Sequence, residues 1–451
     1  LKTHPHDDSN PAIVRIADRC IKCGRCIDVC KNTQGIGVLE GMGRGRDVVI
    51  GPAFGRPLSD EFCTFCGQCS SVCPVGAILE KDDTEEVWRA LHDPKKHVVV
   101  QTAPAVRVTL GEEAGDKPGA IITGKLVAAL RLLGFKKVFD TDFTADLTIM
   151  EEGYELLSRI KNKGVLPMMT SCCPGWVNFA EQQYPEILDH VSTCKSPQQM
   201  FGALVKTYYA EREHLNPADI FVVSVMPCTA KKYEAKRPEM TSDGIHPDVD
   251  VVLTTRELGK MMKQMGVDFD ELEESDFDKP FGETTGAAVI FGATGGVMEA
   301  ALRTVSAVLG EDKDVDVDFE AVRGFEGVKE AVVDVGGMFV RVAVAHSLAN
   351  ARILAEQVKR GDSPYDFIEV MCCPGGCIGG GGQPYGTIAK TRGLRLDATY
   401  RVDKSMAVRK SHENPAITAI YGEYLDKPLS EASHKLLHTH YHARTKTGIR
   451  P

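Results

Sequence analysis

The residues with the strongest chemistry in this chain are cysteines, and three of the places where they occur follow the same plan. Asp366 to Met371 reads as a short buried strand, and it breaks into Cys372-Cys373-Pro374-Gly375-Gly376-Cys377, then Gly379 to Gly382 and Gln383-Pro384. Glycine removes Cβ and permits positive φ, so such a loop can close its backbone on something bulky. The apolar run from Gly164 to Met169 leads into Thr170-Ser171-Cys172-Cys173-Pro174-Gly175-Trp176, and the β-branched run from Asp219 to Met226 ends at Pro227-Cys228. Three strands, far apart in the chain, thus deliver cysteine just beyond their carboxyl ends, the edge where open α/β sheets bind ligands. Cys173, Cys228, Cys373 and Cys377 make the set expected of a 4Fe-4S cluster. Closing a loop of about 200 residues costs roughly 5 kcal/mol, which metal ligation can offset.

A second group of cysteines lies nearer the start. Cys20-x-x-Cys23-x-x-Cys26-x-x-x-Cys30 and Cys63-x-x-Cys66-x-x-Cys69-x-x-x-Cys73-Pro74 form the doubled run of a bacterial two-cluster ferredoxin, in which the fourth cysteine of each run serves the other cluster. Cys20, Cys23, Cys26 and Cys73 are therefore expected to hold one 4Fe-4S cluster, and Cys63, Cys66, Cys69 and Cys30 a second. Zinc knuckles, the bland alternative, seldom use four cysteines at these spacings. Lys31 replaces the proline that usually follows the first run, which affects a turn and not a ligand.

The elements that must position these groups alternate. Strands are expected at Val98 to Gln101 and Lys137 to Thr141. Helices are expected at Ile121 to Leu133, Leu147 to Lys163, Ser196 to His214, Thr255 to Met265, Gly296 to Val308 and Leu348 to Arg360. This alternation implies α/β architecture: two lobes of parallel or mixed sheet flanked by helices, facing one another across the cluster. An α+β ferredoxin-like domain over 1–80, with residues 1–19 as a loose lead-in, precedes a linker helix over 81–96 and a catalytic domain over 97–451.

With 451 residues, 43% of them hydrophobic, the chain has ample core, and its net charge of −10 argues against nucleic acid as a partner. No apolar run is long enough to span a membrane. No secretory h-region is evident near the start, and clustered cysteines point to metal rather than disulfides, so a cytoplasmic location is expected.

Three weaker signals are set aside. Gly119-x-x-x-x-Gly124-Lys125 imitates a phosphate loop, but Leu126 stands where Ser or Thr should hold magnesium. His434, His438, His440 and His442 could bind metal, although a polar C-terminal helix and tail docked on the body is the preferred reading. Gly292-Ala293-Thr294-Gly295-Gly296 reads as a strand-to-helix turn.

The Thr170 to Trp176 segment, the Met226 to Glu234 segment and the Glu369 to Pro384 segment together resemble the three signatures of the iron-iron (FeFe) hydrogenases, in the form with a two-cluster ferredoxin module. The resemblance runs from about residue 15 over nearly the whole chain. It implies an H-cluster, a 4Fe-4S cubane joined to a di-iron subsite bearing carbon monoxide, cyanide and a bridging dithiolate amine. Carried over by position, Cys173, Cys228 and Cys373 ligate the cubane, and Cys377 both ligates it and bridges to the di-iron subsite. Lys231 meets a cyanide, a charge-assisted contact. Met226 and Met371 pack against the di-iron subsite, and Pro104, Ala105, Pro197 and Gln198 surround it, Ala105 where some relatives have serine.

Eight of the 15 cysteines serve the ferredoxin clusters and four the H-cluster, which leaves Cys172, Cys194 and Cys372. Cys172 resembles the thiol that passes protons to and from the bridging amine. Glu152, Glu155 and Arg159 share one helix face by spacing and, with Ser192, coincide with the onward proton relay of related enzymes. Cys194 and Cys372 have no assigned role. The implied reaction is reversible: two protons and two electrons give H2, with electrons passing through the ferredoxin clusters to a ferredoxin or other redox carrier. Two alternatives remain at this stage: a non-catalytic iron-sulfur assembly or sensory relative, and a hydrogenase subunit of a larger complex containing, for example, a formate dehydrogenase or flavin subunit.

Overall fold

Parallel strands cannot be joined by tight turns, so β-branched runs separated by amphipathic helices commit the chain to crossovers that cover a sheet on both faces. The computed structural model describes residues 6–309, 318–335 and 337–444, and two four-stranded sheets dominate it. In the first, the spatial order is Val251–Thr254, Ile220–Met226, His97–Thr102 and Lys137–Asp140, all parallel. The chain leaves the His97 strand toward one edge and later returns to build the other, so the loops after Thr102 and Met226 diverge. That is a topological switch point, where a crevice opens. In the second sheet Val328–Val335 pairs antiparallel with Met338–His346, and Phe367–Met371 and Met168–Met169 then add in parallel. Met168–Met169 falls between strands of the first sheet in chain order, so the polypeptide crosses from lobe to lobe.

The helix Thr141–Lys161 belongs to both lobes. Phe143, Leu147 and Met150 enter the core of the first sheet, while Ala145, Ile149 and Leu156 enter that of the second. Apolar stripes on two faces fit a helix buried between layers rather than lying on a surface. The helix starts at Thr141 and not at Leu147, because Asp140 caps it by accepting from the Asp142 amide at 3.1 Å. Buried Arg107 fixes that first turn, with ion pairs of 2.8 Å to Asp140 and 2.9 Å to Asp142.

At the N-terminal end, His6–Asp7, Ile13–Ile16 and Ile78–Glu80 form a three-stranded antiparallel sheet. The expected lead-in over 1–19 is thus corrected for its described part: Ala12 and Ile13 are core residues. His6–Asp7 gives Ile13–Ile16 only a two-residue partner, and the longer one, Ile78–Glu80, arrives after both cysteine runs. The linker is helical only over Thr84–His92. Gly292 to Gly296 is also corrected. It follows Gly286–Val289 and a short turn Ile290–Gly292, and it opens the helix Gly296–Leu309, so it joins helix to helix.

The C-terminal segment wraps the body through Ala389–Ser405, Pro415–Ile420 and Glu431–Leu437. Buried ion pairs tie it down: Arg395 to Glu112 at 2.7 Å and Arg303 to Asp403 at 2.8 Å. Among the described residues, no helix is long and apolar enough to cross a membrane.

Because Leu147 is fully buried on the shared helix, Leu147→Ala is expected to cost about 2–5 kcal/mol. Calorimetry of the cofactor-free protein should show Tm falling by several degrees; an unchanged Tm would mean that the helix is not a structural seam.

Candidate metal centre and its approaches

The strand ends converge as their placement in the two sheets requires. Ala103 and Pro104 follow the His97 strand, and Met226, Pro227 and Cys228 finish the Ile220 strand. Met371 to Cys373 come from the second sheet, with Cys172 and Cys173 just past Met168–Met169. All line one cavity, together with Cys377, Lys231, Pro197, Gln198 and Phe291. Cys173, Cys228, Cys373 and Cys377 are thus brought together. Ala105 is the exception in the predicted set. It packs behind the wall with Ile378 and Cys377 instead of lining the cavity, because the chain turns into a 3-10 helix at Pro104.

The thiols are unsuited to remain alone there. Burial, then the neighbouring Cys373, Cys173 and Cys377, pushes the Cys228 thiol well above its ordinary range, and burial with Cys173 and Cys373 pushes Cys377 up to about 12. Sulfurs crowded in a dry space resist carrying several negative charges, and bound cationic iron removes that penalty. The glycine loop leaves room for a bulky group at close range. Gly376 has φ +90°, and a Cβ there would come within 2.6 Å of the Thr294 amide nitrogen and 2.8 Å of Met371 Sδ. The donor set and the cradle both fit an iron-sulfur cofactor.

Lys231 is held in the wall by Glu234 at 2.8 Å and donates to the Cys172 carbonyl at 3.1 Å. Burial opposes its charge, but Glu234 and the nearby Cys228 and Cys172 raise its pKa above the ordinary value. Gln198 Nε2 donates to the same Glu234 at 3.1 Å, while its buried Oε1 has no partner. Glu234 organises this wall, and the sequence reading gave it no role although it closes one of the quoted motifs. Glu369 was missed likewise: fully buried, it accepts from the Gly295 amide at 2.6 Å and the Met298 amide at 2.7 Å, pinning a helix N-terminus beside the cavity.

The eight cysteines of the N-terminal portion sort into two smaller cavities. Cys20, Cys23, Cys26 and Cys73 line one, and Cys30, Cys63, Cys66 and Cys69 the other. The second abuts the main site. A Cβ on Gly381 would lie 2.1 Å from the Cys66 carbonyl oxygen, so only glycine permits that approach. Thr229, one residue past Cys228, donates to the Phe65 carbonyl at 2.7 Å, and Gln68 donates to the Gly379 carbonyl at 2.9 Å. Cys372 fills the gap between the two sets. Its amide donates to Cys173 Sγ at 3.3 Å and its thiol to Gln34 Oε1 at 3.6 Å, and hydrogen bonding from Cys372 lowers the Cys173 thiol to about 7. The first set lies outward, with Cys23 exposed.

On the far side, the shared helix presents Glu152, Glu155 and Arg159. Ser192 Oγ donates to Glu155 Oε2 at 2.8 Å, and Arg159 binds Glu155 Oε1 at 2.6 and 3.1 Å. Cys194 is fully buried, with its sulfur 3.8 Å from Glu155 Oε2. The phosphate-loop mimic does something else: Lys125 Nζ donates to the Phe269 carbonyl at 2.7 Å.

Comparison with known proteins agrees with this geometry. The family described as iron only hydrogenase large subunit, C-terminal domain, matches residues 96–381; iron hydrogenase small subunit matches 389–444; and the ferredoxin-like domain of NADH-quinone oxidoreductase subunit 3 matches 10–79. The chain is 53% identical to the NADP-reducing hydrogenase subunit HndD of Solidesulfovibrio fructosivorans over 98% of its own length and 77% of that protein. A solved structure of apo FeFe-hydrogenase HydA1 from Chlamydomonas reinhardtii superposes with a TM-score of 0.72 at 42% identity, covering 81% of this chain and all of that one. Cytosolic iron-sulfur assembly component 3 of Bos taurus is more distant, at 31% identity over 87% of this chain and 85% of that protein. By sequence and by fold, this chain belongs to the FeFe hydrogenases, a family of oxidoreductase enzymes, and carries a ferredoxin-like module at its N-terminal end.

Proposed function

We propose that the chain interconverts H2 with two protons and two electrons at an H-cluster held by Cys173, Cys228, Cys373 and Cys377. The observation that carries this reading is the convergence of those four thiols with Cys172, Lys231, Met226 and Met371 on one largely apolar cavity. When bound, the cofactor supplies an open iron position and electron storage. Lys231 has three donors and two protein partners, which leaves one donor for an anionic ligand in the cavity. Met226 and Met371 exclude water there, which strengthens every charge interaction inside. Pro104, Pro197 and Gln198 complete the wall, and Ala105 backs it.

Electrons and protons take opposite sides. Residues 1–80 hold two 4Fe-4S clusters, with Cys30, Cys63, Cys66 and Cys69 on the inner one and Cys20, Cys23, Cys26 and Cys73 on the outer one. Residues 81–96 link this module to the catalytic domain over 97–451. The exposed edge at Cys23 meets a ferredoxin-type carrier or a partner electron-transfer chain, the latter in keeping with likeness to a protein named as a hydrogenase subunit. A cytoplasmic location accompanies this role. Protons move by Cys172, Glu152, Ser192 and Glu155, with Arg159 at the outer end.

Glu152 is suited to pass a proton and not to store a charge. Both its oxygens are buried without hydrogen-bond partners, and burial, then the neighbouring Glu155, pushes its carboxyl up to about 8. It stays neutral at pH 7 and can give or take one proton at small cost.

In the matured enzyme, Cys172→Ala or Glu152→Ala should lower H2 evolution from reduced viologen by about a hundredfold or more while leaving the carbonyl and cyanide infrared bands in place; near-normal rates sink the relay. Cys30→Ala should remove the inner cluster and leave the outer one, so electron paramagnetic resonance of the reduced protein loses the signal of their interaction. If the Cys20, Cys23, Cys26 and Cys73 cluster disappears instead, the pairing is wrong. Because Glu152 binds its proton more tightly folded than unfolded, stability should fall as pH rises from about 4.5 toward about 8. Glu152→Gln should flatten that part of the Tm profile, and an identical slope in wild type and variant would show that Glu152 does not titrate as described.

A further inference from the structure

An arginine is a poor last carrier for protons, because its guanidinium does not deprotonate in proteins. Arg159 behaves here as an anchor. Besides Glu155 it binds the carbonyls of Asp189 at 3.0 Å and Val191 at 3.1 Å, and so ties the relay helix to the neighbouring loop. Glu155 has a different neighbour that can titrate. Thr193 Oγ1 lies 3.4 Å from Glu155 Oε2 and 2.8 Å from His438 Nδ1. His438 Nε2 lies 3.1 Å from Glu151 Oε2.

These contacts select the tautomer. Against the cost of burial, His438, Tyr421 and the Leu429 amide hold the Glu151 carboxyl below its ordinary range. Glu151 is therefore an acceptor, His438 Nε2 carries the proton donated to it, and Nδ1 is left with a lone pair facing the Thr193 hydroxyl. A protonated Glu155 can then donate to Thr193 Oγ1 while the hydroxyl passes its own proton to Nδ1. One O–H bond forms as another breaks, Glu155 becomes the carboxylate, and His438 becomes an imidazolium paired with Glu151. His438 is buried at 9% exposure, but the exposed His434 ring lies 4.3 Å from it, centroid to centroid.

We propose that His438, reached through Thr193, is the residue that carries protons between Glu155 and solvent, with Arg159 as a positioning residue. This rests on the Cys172, Glu152, Ser192 and Glu155 relay proposed above. An imidazole nitrogen can both accept and release a proton, which a guanidinium cannot. The titratable and charged groups facing His438 are Glu151 and Glu155 from the shared helix, Cys194 beside Thr193, Tyr421 through Glu151, and His434 from its own segment, with Arg159 behind Glu155. Glu155, Cys194 and His438 are also close enough to ligate a metal ion, their ligand atoms lying within 4.8 Å of one another. However, both imidazole nitrogens and both Glu155 oxygens already have hydrogen-bond partners, which favours a proton network over a vacant ligand set.

The test uses matured enzyme carrying His438→Gln, which retains hydrogen bonding but cannot titrate, and Thr193→Val, which keeps the histidine and removes the bridge. Both should slow H2 turnover by about tenfold to a hundredfold near neutral pH, with unaltered carbonyl and cyanide infrared bands. Added imidazole should restore His438→Gly and not Thr193→Val. Wild-type rates in both variants, or a rate loss in His438→Gly that imidazole leaves untouched, overturn the assignment. If Glu152→Gln is slow while His438→Gln is normal, only the histidine branch falls; if both are normal, the relay itself falls.

Discussion

Several sulfurs must share one buried, largely apolar space, and they reach it from strands that lie far apart in the chain and in two different sheets. Burial and neighbouring sulfurs make Cys228 and Cys377 costly to ionise there. The rest of the molecule answers that constraint. Strand ends from both lobes point the cysteines inward, glycines admit the cradle loop at contact distance, and Lys231, charged through Glu234, supplies a positive charge in the wall. The topological switch in the first sheet opens the crevice, and the second sheet closes it.

The shared helix Thr141–Lys161 serves structure and chemistry together. Its two apolar stripes join the lobes, and the strip between them carries Glu151, Glu152 and Glu155, all buried. A carboxylate on a solvated surface would titrate in the ordinary acid range. Placed between two cores, Glu152 is pushed to about 8 and Glu151 is drawn into a network with His438, Tyr421 and Ser433. Neighbouring residues on one helix thus have opposite shifts, because burial and the adjacent Glu155 dominate at Glu152 while hydrogen bonds from His438, Tyr421, the Leu429 amide and Ser433 outweigh burial at Glu151.

Much of this was legible in the sequence. The cysteine spacings and strand-ending motifs single out residues that the fold brings together in three cavities. Helices with clear punctuation were read to the residue: Thr255–Met265 has a capping box between Thr254 and Glu257, and Leu348–Arg360 ends at Gly361 in the left-handed region. Where signals conflicted, reading failed. The β-branched Thr141 and Thr144 hid the first turns of the shared helix, although Asp140 was present as a cap. Ile13–Ile16 depends in part on the distant Ile78–Glu80, whereas Val328–Val335 and Met338–His346 flank Gly336-Gly337, a hairpin signal the sequence does carry. Cys372 between two sulfur sets, and His438 beside Glu155, are products of tertiary contact alone.

The C-terminal segment, matched to what is elsewhere named a small subunit, is clamped to the body by buried Arg303 and Arg395 and brings His438 to the catalytic lobe. Covalent continuity has a kinetic meaning. A separate polypeptide would supply that imidazole only while docked, at an occupancy set by dilution, whereas a tethered one is present in every molecule at an effective concentration independent of how much protein there is.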